Sequence, residues 1–145
     1  DFIPGRYSFV SASEYLGDFY HAMDALCLLS TQEGFALVML EAMMCGRPVA
    51  ATPVGAVPEV ICDGRNGLVV SDQPSQIARA ISQLRDIPQW ASGLALAGRA
   101  YAEQYGHARR MAGEYERLLT GLWEQKFGAA VKANSQASFA ERIWG

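Results

Sequence analysis

Lysine is nearly missing from this chain of 145 residues. Lys126 and Lys132, both near the C-terminus, are the only two, and arginine supplies the other cations. With a net charge of −3, the chain has no global attraction for nucleic acid or for an anionic lipid surface. No apolar run approaches the roughly 20 residues that a membrane span needs. No signal-peptide pattern opens the sequence, and no methionine does, so the chain is expected to begin inside a longer protein or to have been processed. Cysteine is sparse: Cys27, Cys45 and Cys62 are odd in number and lack zinc-type or redox-type spacing. Each lies in or beside an apolar run, which predicts buried, reduced thiols in a reducing compartment. The two histidines, His21 and His107, sit in no nucleophile motif and read as surface or interface residues.

What is present is an ordinary globular balance, 50% hydrophobic and 19% charged, enough for one domain with a real core. A helix is predicted after Ser11 or Ser13, with Leu16, Phe19, Tyr20 and Met23 on one buried face. The continuous apolar run Ala25–Leu29 predicts a central parallel strand covered on both faces. "EGFALVMLEAMMCG" predicts a helix from about Phe35, stopped by Gly46 with Pro48 beyond. "PVAAT" reads as a buried strand, "GAVPEVI" as a turn and short helix opened by Pro58, and "GLVV" as a strand after two glycine turns. Three helical stripes follow: Ile77, Ala80, Ile81 and Leu84; then Leu94, Ala97, Tyr101 and Tyr105; then Met111, Tyr115, Leu118, Leu119 and Leu122. No internal repeat is visible. Short apolar strands alternating with helices predict an α/β fold, a doubly wound Rossmann-like parallel sheet with a helical C-terminal region. Residues 1–127 form the predicted domain. Residues 128–145 read as a linker and tail.

In such folds ligands bind at the carboxyl ends of the strands, and the Glu33 loop follows one of them. From Phe35 to Cys45 every residue is apolar except Glu41. Glu33 lies before the helix and Glu41 about two turns in, so their carboxylates are on the order of 10 Å apart. The Glu41 side chain leans back toward the N-terminus. That N-terminus presents free N–H groups and a positive dipole end, suited to phosphate. Gly34 permits close approach of backbone to a ligand. A diphosphate there would have Glu33 on one side to accept sugar hydroxyls and Glu41 on the other to accept a ribose pair. Each carboxylate also has a plainer explanation, a helix-terminus charge for Glu33 and a solvent-facing position for Glu41. Against the latter, Val38 and Cys45 share its face.

The stretch "STQEGFALVMLEAMMCGRPVAATPVGAVPEVICDGRNGLVV" resembles the signature of the family 4 (group 1) glycosyltransferases of GT-B fold. Glu33 and Glu41 match its two glutamates, which seven residues separate. Gly46, Pro48, Gly55, Pro58, Glu59, Gly64, Gly67 and Leu68 match the flanking pattern, and the likeness extends over roughly residues 1–125. It implies the C-terminal donor-binding domain of an enzyme that moves a sugar from a nucleotide-diphosphate sugar to an acceptor, mostly with retention at the anomeric carbon. It implies that Glu33 holds donor-sugar hydroxyls and acts at the catalytic centre by positioning and charge stabilisation, and that Glu41 holds the ribose. Backbone groups of Gly34, Phe35, Ala36, Leu37 and Val38 would take sugar and phosphates. Pro4, Gly5 and Arg6 would lie near the base. No metal and no cofactor beyond the donor substrate is implied.

Three departures accompany the resemblance. Ala36 stands where the family has glycine, and its methyl group either narrows the donor pocket or is tolerated. The family's upstream Arg and Lys, which neutralise the diphosphate, have no counterpart here. The acceptor-binding N-terminal domain and the first two strands of the usual C-terminal domain are also absent. An exposed sheet edge is therefore expected, open to pairing between copies of the chain. The implied partners are the donor and, through the missing domain, a saccharide, lipid or other acceptor, with no nucleic acid. The expected location is the cytoplasm, or the inner face of a membrane as a peripheral protein. A nucleotide-sugar epimerase of the same fold and a truncated, non-catalytic binding or assembly module are the competing readings. Glu59 reads first as a first-turn helix charge, with a place in the lining of the donor pocket as the alternative. Trp123, Phe139 and Trp144 read as packing residues.

Overall fold

The computed structural model describes residues 16–127. Its elements run α1 (Leu16–Ala22), β1 (Leu26–Leu28), α2 (Leu37–Met44), β2 (Val49–Ala51), α3 (Val57–Val60), β3 (Leu68–Val69), α4 (Pro74–Asp86), α5 (Pro88–Tyr105) and α6 (Ala108–Phe127). The chain divides into two units, Asp1–Ala102 and Glu103–Gly145. Among the described residues, no helix is long and apolar enough to cross a membrane.

In the first unit three strands pair in parallel in the order β1-β2-β3. Leu26 stands opposite Val49, and Ala50 opposite Leu68. Successive side chains of a strand point to opposite faces, and β2 uses both. Val49 and Ala51 enter a core with Tyr20 of α1, Met39, Ala42 and Met43 of α2, Val57 and Val60 of α3 and Ala102 of α5. Ala50 enters a second core with Leu68, Val70, Ala80 and Leu84 of α4 and Leu94 of α5. Both faces of the sheet are thus covered, which is why "PVAAT" reads as an unbroken apolar run. This is the predicted Rossmann-like α/β arrangement.

Some details differ from the sequence expectation. The central strand is β2, whereas β1 is an edge of the sheet among the described residues, with Cys27 exposed. An apolar run reports how greasy the faces are, and says nothing about who pairs along the outer edge. Cys62 is exposed as well and Cys45 half-buried, all three thiols being free, so the expectation of buried cysteines does not hold. In α1 only Tyr20 is buried; Leu16 and Phe19 are nearly half exposed. In α5 the buried face is Leu94, Ala95, Gly98 and Ala102, with Tyr105 exposed. Small residues win there because they let backbones approach. A methyl group on Gly98 would lie 2.9 Å from the Asn66 carbonyl oxygen and 3.3 Å from Met43 Cγ.

In the second unit α6 follows the predicted stripe, yet none of its residues is buried. Met111, Tyr115, Leu118, Leu119 and Leu122 are each more than half exposed. The Arg110 guanidinium stacks 4.6 Å from the Tyr105 ring centre and donates to Glu114 at 2.8 Å. His107 sits just ahead of the helix, its carbonyl accepting from the Met111 amide. Phe139 and Trp144, expected to pack, lie outside the described residues.

Candidate functional site

The loop from β1 to α2 and the loop from β2 to α3 meet at the carboxyl end of the sheet. The helix α2 begins at Leu37, two residues later than expected. Its N-cap is Ala36, in the left-handed conformation at φ 54° and ψ 66°, with no side-chain cap. Glu41 is therefore just over one turn into the helix, not two. The amides of Leu37 and Val38 open the helix, where α-helical geometry offers no intrahelical acceptor. At the far end, Gly46 at φ 67° lets the Gly46 amide donate to Met43 O and the Arg47 amide to Ala42 O, at 2.9 Å each. These two bonds close the helix as a Schellman motif, as Gly46 foretold.

An alanine in left-handed backbone costs about 1–2 kcal/mol. The departure at Ala36 is thus one of backbone strain, and its methyl group does not line the cleft described below. Ala36→Gly is expected to relieve that strain while making the unfolded chain somewhat freer, a net gain of about 0.5–1 kcal/mol. Thermal unfolding should show a melting point raised by a few degrees; a lowered one would exclude strain at this position.

Each carboxylate is held by a hydroxyl from elsewhere in the fold. Ser30 Oγ donates to Glu33 Oε1 at 2.7 Å. Ser30 is itself fixed by Thr52, a buried residue whose hydroxyl donates to the Ser30 carbonyl at 2.6 Å. Tyr20 Oη donates to Glu41 Oε2 at 2.6 Å. Burial, reinforced by the hydrogen bond and charge of Glu41, pushes the Tyr20 phenol up to about 12, so it stays a protonated donor at neutral pH. Glu41 is half-buried, neither a solvent-facing charge nor an isolated buried one.

Gly55 joins the two loops. Its φ is 55°, and a side chain there would fall on the carbonyl oxygens of Gly34 and Glu33. The Ala56 amide donates to Gly34 O at 2.9 Å. The result is an open cleft of about 720 Å³ lined by Thr31, Gln32, Glu33, Gly34, Val54 and Gly55.

The predicted site residues are therefore brought together in part. Glu33 and Gly34 line the cleft; Glu41, Phe35, Ala36, Leu37 and Val38 do not. Phe35 and Leu37 are exposed apolar side chains beside it. Gly5 and Arg6, like Pro4, lie outside the described residues. Sequence reasoning missed Tyr20 as a partner of Glu41, having assigned it to packing, and missed the Thr52–Ser30–Glu33 chain. A serine three residues before a glutamate is a weak local signal, and nothing local links Thr52 to it. Glu59 is exposed in the first turn of α3, matching its structural reading, and His21 is exposed and bonded to the Gly17 carbonyl at 2.7 Å. The Asn66 turn is closed by its own side chain, which accepts from the Cys62 amide and donates to Val60 O. Among the described residues no group of three or more His, Cys, Asp or Glu could hold a metal ion.

The chain is 36% identical over 111 residues to D-inositol 3-phosphate glycosyltransferase of Streptosporangium roseum, covering 74% of this chain and 26% of that protein. It thus spans about a fifth to a quarter of the length of the curated relatives it matches. Among solved structures, sucrose-phosphate synthase from Thermosynechococcus elongatus superposes with a TM-score of 0.78 at 31% identity, over 84% of this chain and 31% of that one. HepE from Anabaena, solved in complex with UDP and glucose, superposes with a TM-score of 0.77 at 25% identity, over 81% of this chain and 33% of that one. Both likenesses fit a GT-B, Rossmann-like α/β fold for this chain. Residues 4–86, more than half of the chain, match the family model for glycosyl transferases group 1, and the chain belongs to that family.

Proposed function

We propose that this chain is the donor-binding part of a retaining glycosyltransferase, and that it binds a nucleoside-diphosphate sugar at the cleft beside α2. The observation that carries this is the pair of carboxylates on either side of the start of α2, each with one oxygen held by a hydroxyl and acceptor capacity to spare. Glu41 accepts the ribose hydroxyls. Glu33 accepts donor-sugar hydroxyls and favours the positive charge that develops on the ring as the bond from the anomeric carbon to phosphate breaks. The diphosphate leaves with the bonding electrons, and an acceptor hydroxyl bonds to the same face, its proton passing to the departing diphosphate oxygen. From this chain the phosphates receive the Leu37 and Val38 amides and the dipole of α2. Among the described residues no lysine or arginine lines the cleft, and donor binding, rather than turnover, is the activity proposed for the chain by itself. HepE binds UDP, which makes uridine donors the first to try.

Calorimetry on the 145-residue chain with UDP, UDP-glucose and GDP-mannose tests this. Hydrogen bonds to a charged group contribute about 1.5–3 kcal/mol, so Glu41→Ala is expected to weaken nucleotide binding by about ten- to a hundredfold. Absence of binding by all three ligands, or an unchanged affinity in Glu41→Ala, would defeat the proposal.

A further inference from the structure

We infer that Tyr20 is a positioning residue for the ribose subsite, acting through Glu41; this rests on the donor-site reading above. The two side chains come from separate elements, α1 and α2, 21 residues apart. Tyr20 is the one buried residue of α1, at 5% exposure, while Leu16 and Phe19 of the same helix are nearly half exposed. The burial of α1 thus converges on the residue that meets Glu41. The ring packs in the core with Met39, Ala42 and Met43 of α2 and edge-on against Phe19, with ring centres 6.2 Å apart. That packing limits where the phenol oxygen can go.

The chemistry follows from counting lone pairs. An ionised carboxylate accepts at about four sites. Tyr20 occupies one, on Oε2, and thereby selects one rotamer of a side chain with three rotatable bonds. Oε1 is left to accept a neighbouring pair of hydroxyls, the pattern that a ribose offers. The phenol stays protonated at neutral pH and donates that proton to Glu41 Oε2, and at 5% exposure the Tyr20 side chain leaves a ligand little of itself to touch. Tyr20 therefore acts on the ligand only through the carboxylate that it orients. A role confined to holding α1 in place predicts something different: loss of the hydroxyl would then alter stability without any dependence on the ribose.

The test is a comparison of UDP with 2′,3′-dideoxy-UDP, measured by calorimetry on the wild-type chain, Tyr20→Phe, Glu41→Ala and the double variant. Phenylalanine keeps the ring in its core, and the dideoxy ligand, which lacks the hydroxyls in question, reports whether the rest of the site is intact. The expected result is that Tyr20→Phe reduces the preference for UDP over the dideoxy ligand by about three- to tenfold. Affinity for the dideoxy ligand should stay the same, and adding Tyr20→Phe to Glu41→Ala should change neither affinity. If the wild-type chain prefers UDP and Tyr20→Phe preserves that preference in full, the positioning role is overturned while donor binding stands. An equal weakening of both ligands overturns it in the same way, by assigning Tyr20 to stability. If the wild-type chain binds neither ligand, the donor reading and this inference fall together.

Discussion

Gly55→Ala is expected to destabilise the chain by about 3 kcal/mol, from left-handed backbone strain and a forced contact between backbone segments. At φ 55° the alanine methyl group would be driven onto the Gly34 and Glu33 carbonyl oxygens. Neither oxygen can retreat freely, since Gly34 O accepts from the Ala56 amide at 2.9 Å and Glu33 is tethered to Ser30. The damage should therefore spread to the cleft, which both loops line. Urea unfolding would read the first effect as a lower midpoint at constant slope, and UDP calorimetry the second as lost affinity. A destabilisation below about 1 kcal/mol would mean that the two loops part easily, contrary to the strain expected there.

Met43→Ala should cost about as much, near 3 kcal/mol within the 2–5 kcal/mol span of buried methionine truncations. Met43 is a fully buried residue of α2, the helix that also carries Glu41. It shares its core with Val49 and Ala51 of β2 and with Ala102 of α5. The void would be hard to refill: a methyl group on Gly98 points toward Met43 but lies 2.9 Å from the Asn66 carbonyl oxygen. Met43→Ala/Gly98→Ala is therefore expected to be no more stable than Met43→Ala in the same urea experiment. A recovery of stability in the double variant would show that the α5 contact can relax.

Much of the fold and part of the site were legible in the residue pattern alone. Strand and helix order follows from local periodicity, and the stop at Gly46 from the backbone freedom of glycine. Val49–Ala51 could be read as doubly covered because parallel strands bury both faces. The two glutamates stood out at once, since carboxylates in an apolar stretch need a reason, and their spacing carried the family resemblance. Other features were beyond that reach. The pairing of Tyr20 with Glu41, the hold of Thr52 on Ser30 and the contact of Gly55 with Gly34 each join residues about 20 apart, on elements that only the packed sheet brings together. The buried face of α5 was misread because small residues contribute little to an apolar stripe, although they allow the closest approach. By itself the sequence determined which carboxylates stand near the start of a helix with acceptors to spare, because that is a property of side-chain chemistry and local spacing. Only the tertiary structure decided which hydroxyls hold those carboxylates in place and where the cleft opens, because hydrogen bonds and excluded volume depend on distances in space that spacing along the chain does not specify.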